Sequence, residues 1–143
     1  MKARRVWQWC SGISLFGFAI FLFLLWYNGF LPVGADRARL RHALDLWWLP
    51  ASVSIDRAAS ESWTDYIFEA EVSIDPTDLQ KLLRGRSFSQ DDFAYQPQTS
   101  AYRINGYIGF PIAAKWQWHQ GDATCEVYSN SEHRKVLVRF MAD

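Results

Sequence analysis

A cysteine and a histidine stand close together near the end of the chain, in the stretch "CEVYSNSEHR", residues 125–134. A thiolate beside an imidazole is the arrangement of an activated nucleophile and its general base. Such a pair works only when both side chains meet within hydrogen-bonding reach on one side of the fold. Whether Cys125 and His133 do chemistry therefore depends on the element that positions them.

The pattern around this candidate pair predicts a β-hairpin. The segments "ATCEVYS" and "HRKVLVRFM" alternate as strands do, and a turn at residues 130–131 places Cys125 opposite Val136. In that register Glu126 faces Lys135, and the two members of the candidate pair fall on opposite faces of the sheet. We therefore predict a buried, unreactive Cys125.

Other patterns that carry chemistry are weak. Glu69 and Glu71 share one face of a predicted strand, about 7 Å apart by strand rise, which resembles the spacing of paired acids in glycosidases. Two acids on a solvated sheet face are the commoner arrangement, and we predict that arrangement here. The histidines follow no metal-ligand spacing, no phosphate-binding glycine loop is present, and Cys10 lies too near the apolar run to pair with Cys125. The sequence predicts no catalytic residue, no metal and no cofactor.

The first part of the chain is apolar. Residues 6–35 form a stretch of 30 residues without a charge, whereas about 20 apolar helical residues suffice to cross a bilayer. We predict a transmembrane anchor at residues 6–31, preceded by a basic tail at residues 1–5. A cleaved signal peptide is the alternative, but its apolar region is usually about 7–15 residues long. The positive charges before and after the run are nearly balanced, and the basic tail with the α-amino group favours a C-terminal domain outside the cytoplasm.

The rest of the chain predicts one small domain at residues 51–143, joined to the anchor by an amphipathic helix at residues 36–49. This helix is cationic and ends in two tryptophans, so it either lies among lipid headgroups or packs on the domain. After Ala35 the chain carries twelve Lys or Arg and fifteen Asp or Glu, a net charge of −3. Because nucleic-acid-binding domains are basic, we predict no nucleic-acid partner.

Periodicity indicates the elements of this domain. The stretch "WTDYIFEAEVSI" alternates as a strand, and "DPTDLQKLLRG" reads as a helix with Asp75 as N-cap and Gly85 beyond its end. Residues 87–99 have no period and predict a long loop, and the remainder is rich in strands. The predicted fold class is α+β: an N-terminal single transmembrane helix followed by a small antiparallel β-meander domain covered by one α-helix.

These features predict a single-pass, membrane-anchored, non-enzymatic binding or accessory module that presents its domain at the membrane surface. Its partners would be the lipid bilayer and a protein. Aromatic side chains are enriched at protein interfaces, and the predicted contact residues are Trp63, Tyr102, Tyr107, Trp116 and Trp118. Two alternatives stay open. One is a small subunit whose transmembrane helix packs against partner helices in a larger membrane complex, and the other is an envelope enzyme that uses scattered acids or histidines.

Overall fold

The computed structural model describes residues 17–25, 27, 34–62, 65–91 and 109–143. The chain divides into two units, Met1–Ala38 and Arg39–Asp143. In the first unit, residues 17–25 and Tyr27 are helical, and these are the described residues of the predicted anchor at residues 6–31. Within the described ranges, no helix is both long and apolar enough to span a membrane.

The second unit is built on a six-stranded antiparallel sheet. In chain order the strands are β1 (Ser54–Ser62), β2 (Tyr66–Ser73), β3 (Ser89–Asp91), β4 (Ala114–Gln120), β5 (Ala123–Ser129) and β6 (Lys135–Ala142). Their order across the sheet is β1-β2-β6-β5-β4-β3, and every neighbouring pair is antiparallel. The last strand therefore lies inside the sheet, between β2 and β5. The predicted α+β class is confirmed.

One face of this sheet forms the hydrophobic core. Because side chains alternate along a strand, every second residue of the inner strands points to this face. The buried sheet residues there are Phe68, Ala70, Val72, Trp116, Cys125, Val127, Val136, Val138 and Phe140. Two helical elements contribute to the same cluster, rather than the one that we predicted. They are α1 (Ala35–Ala43), through Leu40 and Ala43, and α2 (Leu79–Leu82), through its two leucines.

The helix α1 ends earlier than the predicted range of residues 36–49. Its last turn closes with a Schellman motif: Leu46 N donates to Arg41 O at 2.9 Å, and Asp45 N donates to His42 O at 3.0 Å. Asp45 has a φ of 54°, a left-handed conformation that stops a right-handed helix. Leu40, Ala43 and Leu44 are fully buried, so the end of this helix that belongs to the second unit packs in the core of that unit.

The predicted helix after β2 is present but short. A 3₁₀ turn at Pro76–Asp78 leads into α2. Asp75 caps the 3₁₀ turn, because its Oδ1 accepts hydrogen bonds from the Thr77 hydroxyl at 2.7 Å and the Thr77 backbone N–H at 2.9 Å. These bonds lower the pKa of the Asp75 carboxyl. The cap at Asp75 is therefore confirmed.

The prediction of a loop over residues 87–99 is wrong for residues 89–91. Ser89–Asp91 form the edge strand β3, in which Gln90 pairs with Trp116 of β4. The Ser89 hydroxyl also donates to Gln117 O at 3.1 Å. Three residues are too few to show a strand period, so this pairing could not be predicted from the local pattern. Residues 92–99 lie outside the described part of the chain.

Candidate functional site

The final hairpin has a different register from the predicted one. Cys125 faces Phe140, and Glu126 faces Arg139, whereas we predicted Val136 and Lys135 as their partners. The shift is an even number of residues, so the strand residues keep their predicted faces. The turn explains the error: residues 130–134 form a longer connection, in which Asn130 Oδ1 accepts hydrogen bonds from two backbone N–H groups at 2.9 and 3.1 Å.

Cys125 is buried in the core, as predicted. Desolvation raises the pKa of its thiol to about 12, because a thiolate is unfavourable in apolar surroundings. The reactive form of a cysteine is the thiolate. At neutral pH Cys125 therefore stays a protonated core side chain.

His133 lies on the side of the sheet that we did not predict. Its Nδ1 is 2.8 Å from the hydroxyl of Ser129, which is on the core face, and its ring meets Trp116 edge-on at 6.0 Å between centroids. A φ of 57° in the turn brings the imidazole back over this face. Ser129 is four residues from Cys125, about 13 Å by strand rise. Cys125 and His133 therefore do not form a catalytic pair.

The contact between Ser129 and His133 satisfies a buried hydroxyl. Ser129 is completely buried, and a buried polar group without a partner is destabilising. A nucleophilic serine must also be reachable by its substrate, and this one is not. The pair therefore has a structural role at the end of the hairpin.

The opposite face of the sheet carries a row of charged side chains that form ion pairs, and we call it the charged face. Its members are Arg57, Glu69, Glu71, Lys115, Glu126 and Arg139. Apart from Arg57, these side chains are only 5–14% exposed. The prediction that Glu69 and Glu71 are solvated is therefore wrong.

Cross-strand pairing explains how these charges are buried. Arg139 Nε lies 3.3 Å from Glu69 Oε1, and Lys115 Nζ lies 3.1 Å from Glu126 Oε1. The Tyr128 hydroxyl donates to the second oxygen of Glu126 at 2.9 Å. Positive and negative groups thus alternate across β2, β6, β5 and β4, so that each buried charge has an opposite charge as its neighbour.

Glu71 belongs to a second ion pair at the β1 side. Arg57 donates to both of its carboxylate oxygens, at 2.7 and 3.1 Å, in a bidentate arrangement. The backbone N–H of Gly109 donates to Oε1 of the same carboxylate at 3.1 Å. This bond attaches the backbone at Gly109 to the charged face.

These contacts do not fit the glycosidase arrangement. That chemistry needs two carboxyl groups that are open to a sugar substrate, whereas Glu69 and Glu71 each lie against a guanidinium and are only 5% and 11% exposed. In the described part of the chain, no group of three or more His, Cys, Asp or Glu side chains is arranged to hold a metal ion. The charged face is therefore a layer of mutually paired side chains.

The predicted aromatic contact residues are dispersed. Trp63, Tyr102 and Tyr107 lie outside the described residues. Trp116 and Trp118 share one face of β4, as predicted, but Trp116 is only 8% exposed and belongs to the core. Trp118 is half-buried, and the guanidinium carbon of Arg86 lies 3.9 Å from its ring centroid.

A different pair of tryptophans is exposed. Trp47 and Trp48 are 72% and 62% exposed, directly after the Schellman motif that ends α1. The flanking residues Leu46 and Leu49 pack against the core, so the segment "LWWL" turns its leucines inward and its tryptophans outward. The helical period of the sequence assigned both tryptophans to an apolar helix face, because nothing in the pattern shows that α1 stops at Ala43.

Comparison with protein-family models, with curated proteins and with solved structures finds no match to this chain. A fold class alone does not identify a function, because unrelated activities occur on the same architecture. The function must therefore be argued from the side chains that the fold places at the surface.

Proposed function

We propose that this chain is a single-pass, membrane-anchored, non-enzymatic binding or accessory module that presents its α+β domain at a membrane surface. The observation that carries the proposal is the exposure of the apolar helical residues in the first unit. Six large apolar side chains there are 39–59% exposed: Phe18, Ile20, Phe21, Leu22, Phe23 and Leu24.

These residues are nearly consecutive, so they surround the helix instead of forming one stripe. A helix that rests on a water-soluble protein has an apolar face and a polar face, whereas one that is apolar all round belongs in a core or in lipid. The uncharged sequence extends from residue 6 to residue 35. This length supports a complete crossing of the bilayer, for which about 20 residues are needed.

The basic tail at residues 1–5 supports a domain that lies outside the cytoplasm, since positive charges next to a membrane helix are retained on the cytoplasmic side. The non-enzymatic role is supported by the chemistry of the domain. Cys125 and Ser129 are buried away from any substrate, and the paired acids of the charged face are neutralised by neighbouring cations.

The protein partner of the module is proposed to meet its aromatic residues. Trp63 lies between β1 and β2 in the sequence, and Tyr102 and Tyr107 lie between β3 and β4. Connections carry binding residues more often than the strands that they join. Trp118 is the described member of the predicted set that keeps part of its surface exposed.

A second candidate is a small subunit of a larger membrane complex. Gly17 favours it, because a side chain added there would meet nothing within 4 Å, and small residues let membrane helices approach each other closely. The two candidates predict different partners in the complex that detergent extracts from the membrane. An accessory module that holds its partner through the domain keeps that partner when Gly17 is replaced by leucine, whereas a helix-packed subunit loses it.

Alkaline extraction tests the anchor. The wild-type chain should stay in the membrane pellet after an alkaline wash and dissolve only with detergent. The double substitution Phe21→Asp and Leu24→Asp should release it, while the matched change Ser60→Asp and Ser62→Asp on the exposed strand β1 should not. Release of the wild-type chain by alkali would refute the proposal.

A further inference from the structure

The exposed tryptophans at residues 47 and 48 are held in place by the fold. On one side, the Schellman motif fixes the backbone at Asp45 and Leu46. On the other side, Leu49 packs against the core. Large aromatic side chains are normally mostly buried, yet this short, fixed segment presents two of them side by side to the exterior.

This exposure is isolated on the domain. Among the described residues, the exposed large apolar side chains are those of the apolar helical segment together with Trp47 and Trp48. A stable protein interface buries about 800 Å² on each partner around an apolar centre. Two adjacent indoles without further exposed apolar neighbours are a small patch for a protein, whereas they suit the headgroup region of a bilayer, which tryptophan prefers.

The residues around the pair include more cationic than acidic side chains, with Asp45 as the exposed acid. Arg39 and Arg41 lie on α1 just before the tryptophans. Exposed Arg84 precedes Gly85, whose position is so close to the backbone of Leu44 and Asp45 that an added Cβ would clash with it. Cationic side chains near the surface of an anionic membrane contribute about 1 kcal/mol each to its attraction.

We propose that Trp47 and Trp48 insert into the interface of a phospholipid bilayer and seat the domain on the membrane. The inference rests on the proposed function, because the bilayer concerned is the one that holds the apolar segment, and Trp47 follows Tyr27 by only twenty positions. The cationic end of α1 then meets the phosphate groups, while the leucines on both sides keep the tryptophans attached to the core.

The test measures quenching of tryptophan emission by brominated lipid. The full chain is reconstituted into vesicles of phosphatidylcholine and phosphatidylglycerol, with or without bromine near the top of the acyl chains. The chain has eight tryptophans, so the contribution of this pair is the difference between the wild type and the double variant Trp47→Ser and Trp48→Ser. We expect most of that difference to disappear in brominated vesicles.

Two controls test whether the double variant is folded and whether the quenched emission belongs to Trp47 and Trp48. The double variant should have the circular dichroism spectrum and melting temperature of the wild type, because both side chains are exposed. The variant Trp118→Phe, which changes a half-buried tryptophan, should leave the quenched difference unchanged.

One outcome is a chain that resists alkaline extraction while the emission of the pair is not quenched by brominated lipid. That result overturns the inference but agrees with the proposed anchor. If alkali releases the chain, the proposed function fails. The quenching measurement is then made on chain added to preformed vesicles, where quenching of the pair supports the inference and its absence overturns it. Efficient disulfide formation between copies of a Trp48→Cys variant in a Cys10→Ser background would assign the pair to self-association and would also overturn it.

Discussion

Glu69 and Arg139 face each other across β2 and β6, and their side chains meet at 3.3 Å between Oε1 and Nε, with only 5% and 12% of their surfaces exposed. The two residues are far apart in the sequence, and the insertion of the last strand beside β2 brings them together. The contact is an ion pair at the centre of the charged face. Removal of one partner leaves an uncompensated charge in a place that water reaches poorly.

We predict that Glu69→Gln lowers the free energy of unfolding by about 3 kcal/mol, because a broken buried ion pair typically costs 3–5 kcal/mol. The matched control is Glu132→Gln, since Glu132 and Arg134 form an ion pair whose side chains are 70% and 67% exposed. That pair should contribute no more than about 1 kcal/mol. Urea unfolding of the full chain in a mild detergent measures both losses, and equal losses would show that the charged face is solvated.

Gly85 and Gly121 have opposite surroundings and predict a second contrast. A Cβ at Gly85 would clash with Leu44 O, whereas a Cβ at Gly121 would meet nothing within 4 Å. Gly121 has a φ of 58°, so Gly121→Ala should cost about 1–2 kcal/mol through backbone strain alone. Gly85→Ala should cost about 3 kcal/mol, because the backbone of the α1 end must shift. Thermal unfolding gives the order, and a smaller loss for Gly85→Ala would contradict the close approach.

Asp45 holds a left-handed conformation that favours glycine. We predict that Asp45→Gly raises stability by up to about 1 kcal/mol, since a left-handed non-glycine residue carries about 1–2 kcal/mol of strain. His133→Gly is the matched comparison, because His133 has a similar φ of 57° but also bonds Ser129. Its replacement should be destabilising. If both changes raised stability, the hydrogen bond between His133 and Ser129 would have no stabilising role.

Cys125 predicts a pH dependence whose sign is fixed by its burial. The pKa of its thiol rises from 9.0 to about 12 on folding, so the folded state holds the proton more tightly than the unfolded state. The stability from this group is complete below pH 9.0 and is lost as the pH rises towards about 12. Wild type should therefore lose more stability over this range than Cys125→Ala. Curves that stay parallel would show a solvated thiol, as would fast maleimide labelling of the native Cys10→Ser chain at neutral pH.

The sequence predicted most of the elements because each has a local cause. The alternation of apolar residues in β2, β5 and β6 identified the core face, and Asp75 with Pro76 identified the start of the helix. Faces are robust to error, since a register shift by an even number of residues keeps every strand residue on its side of the sheet. This is why Cys125 was placed correctly although its partner was not.

The rest depended on contacts between distant residues. The burial of Glu69 requires Arg139, and no local pattern shows that β6 inserts beside β2. The position of His133 depends on a left-handed turn residue that is not glycine, and the exposure of Trp47 and Trp48 depends on the same kind of residue at Asp45. Single residues in this conformation are hard to recognise in a sequence, because asparagine, aspartate and histidine adopt it only occasionally.

Protease digestion of right-side-out membrane vesicles tests the central claim, a membrane anchor that presents the domain outside the cytoplasm. We expect that the protease digests the domain beyond Ala35 in intact vesicles, while an amino-terminal fragment that contains residues 6–31 remains in the membrane pellet. Full protection of the domain until the vesicles are opened would contradict the orientation. Recovery of the undigested chain in the supernatant would contradict the anchor itself.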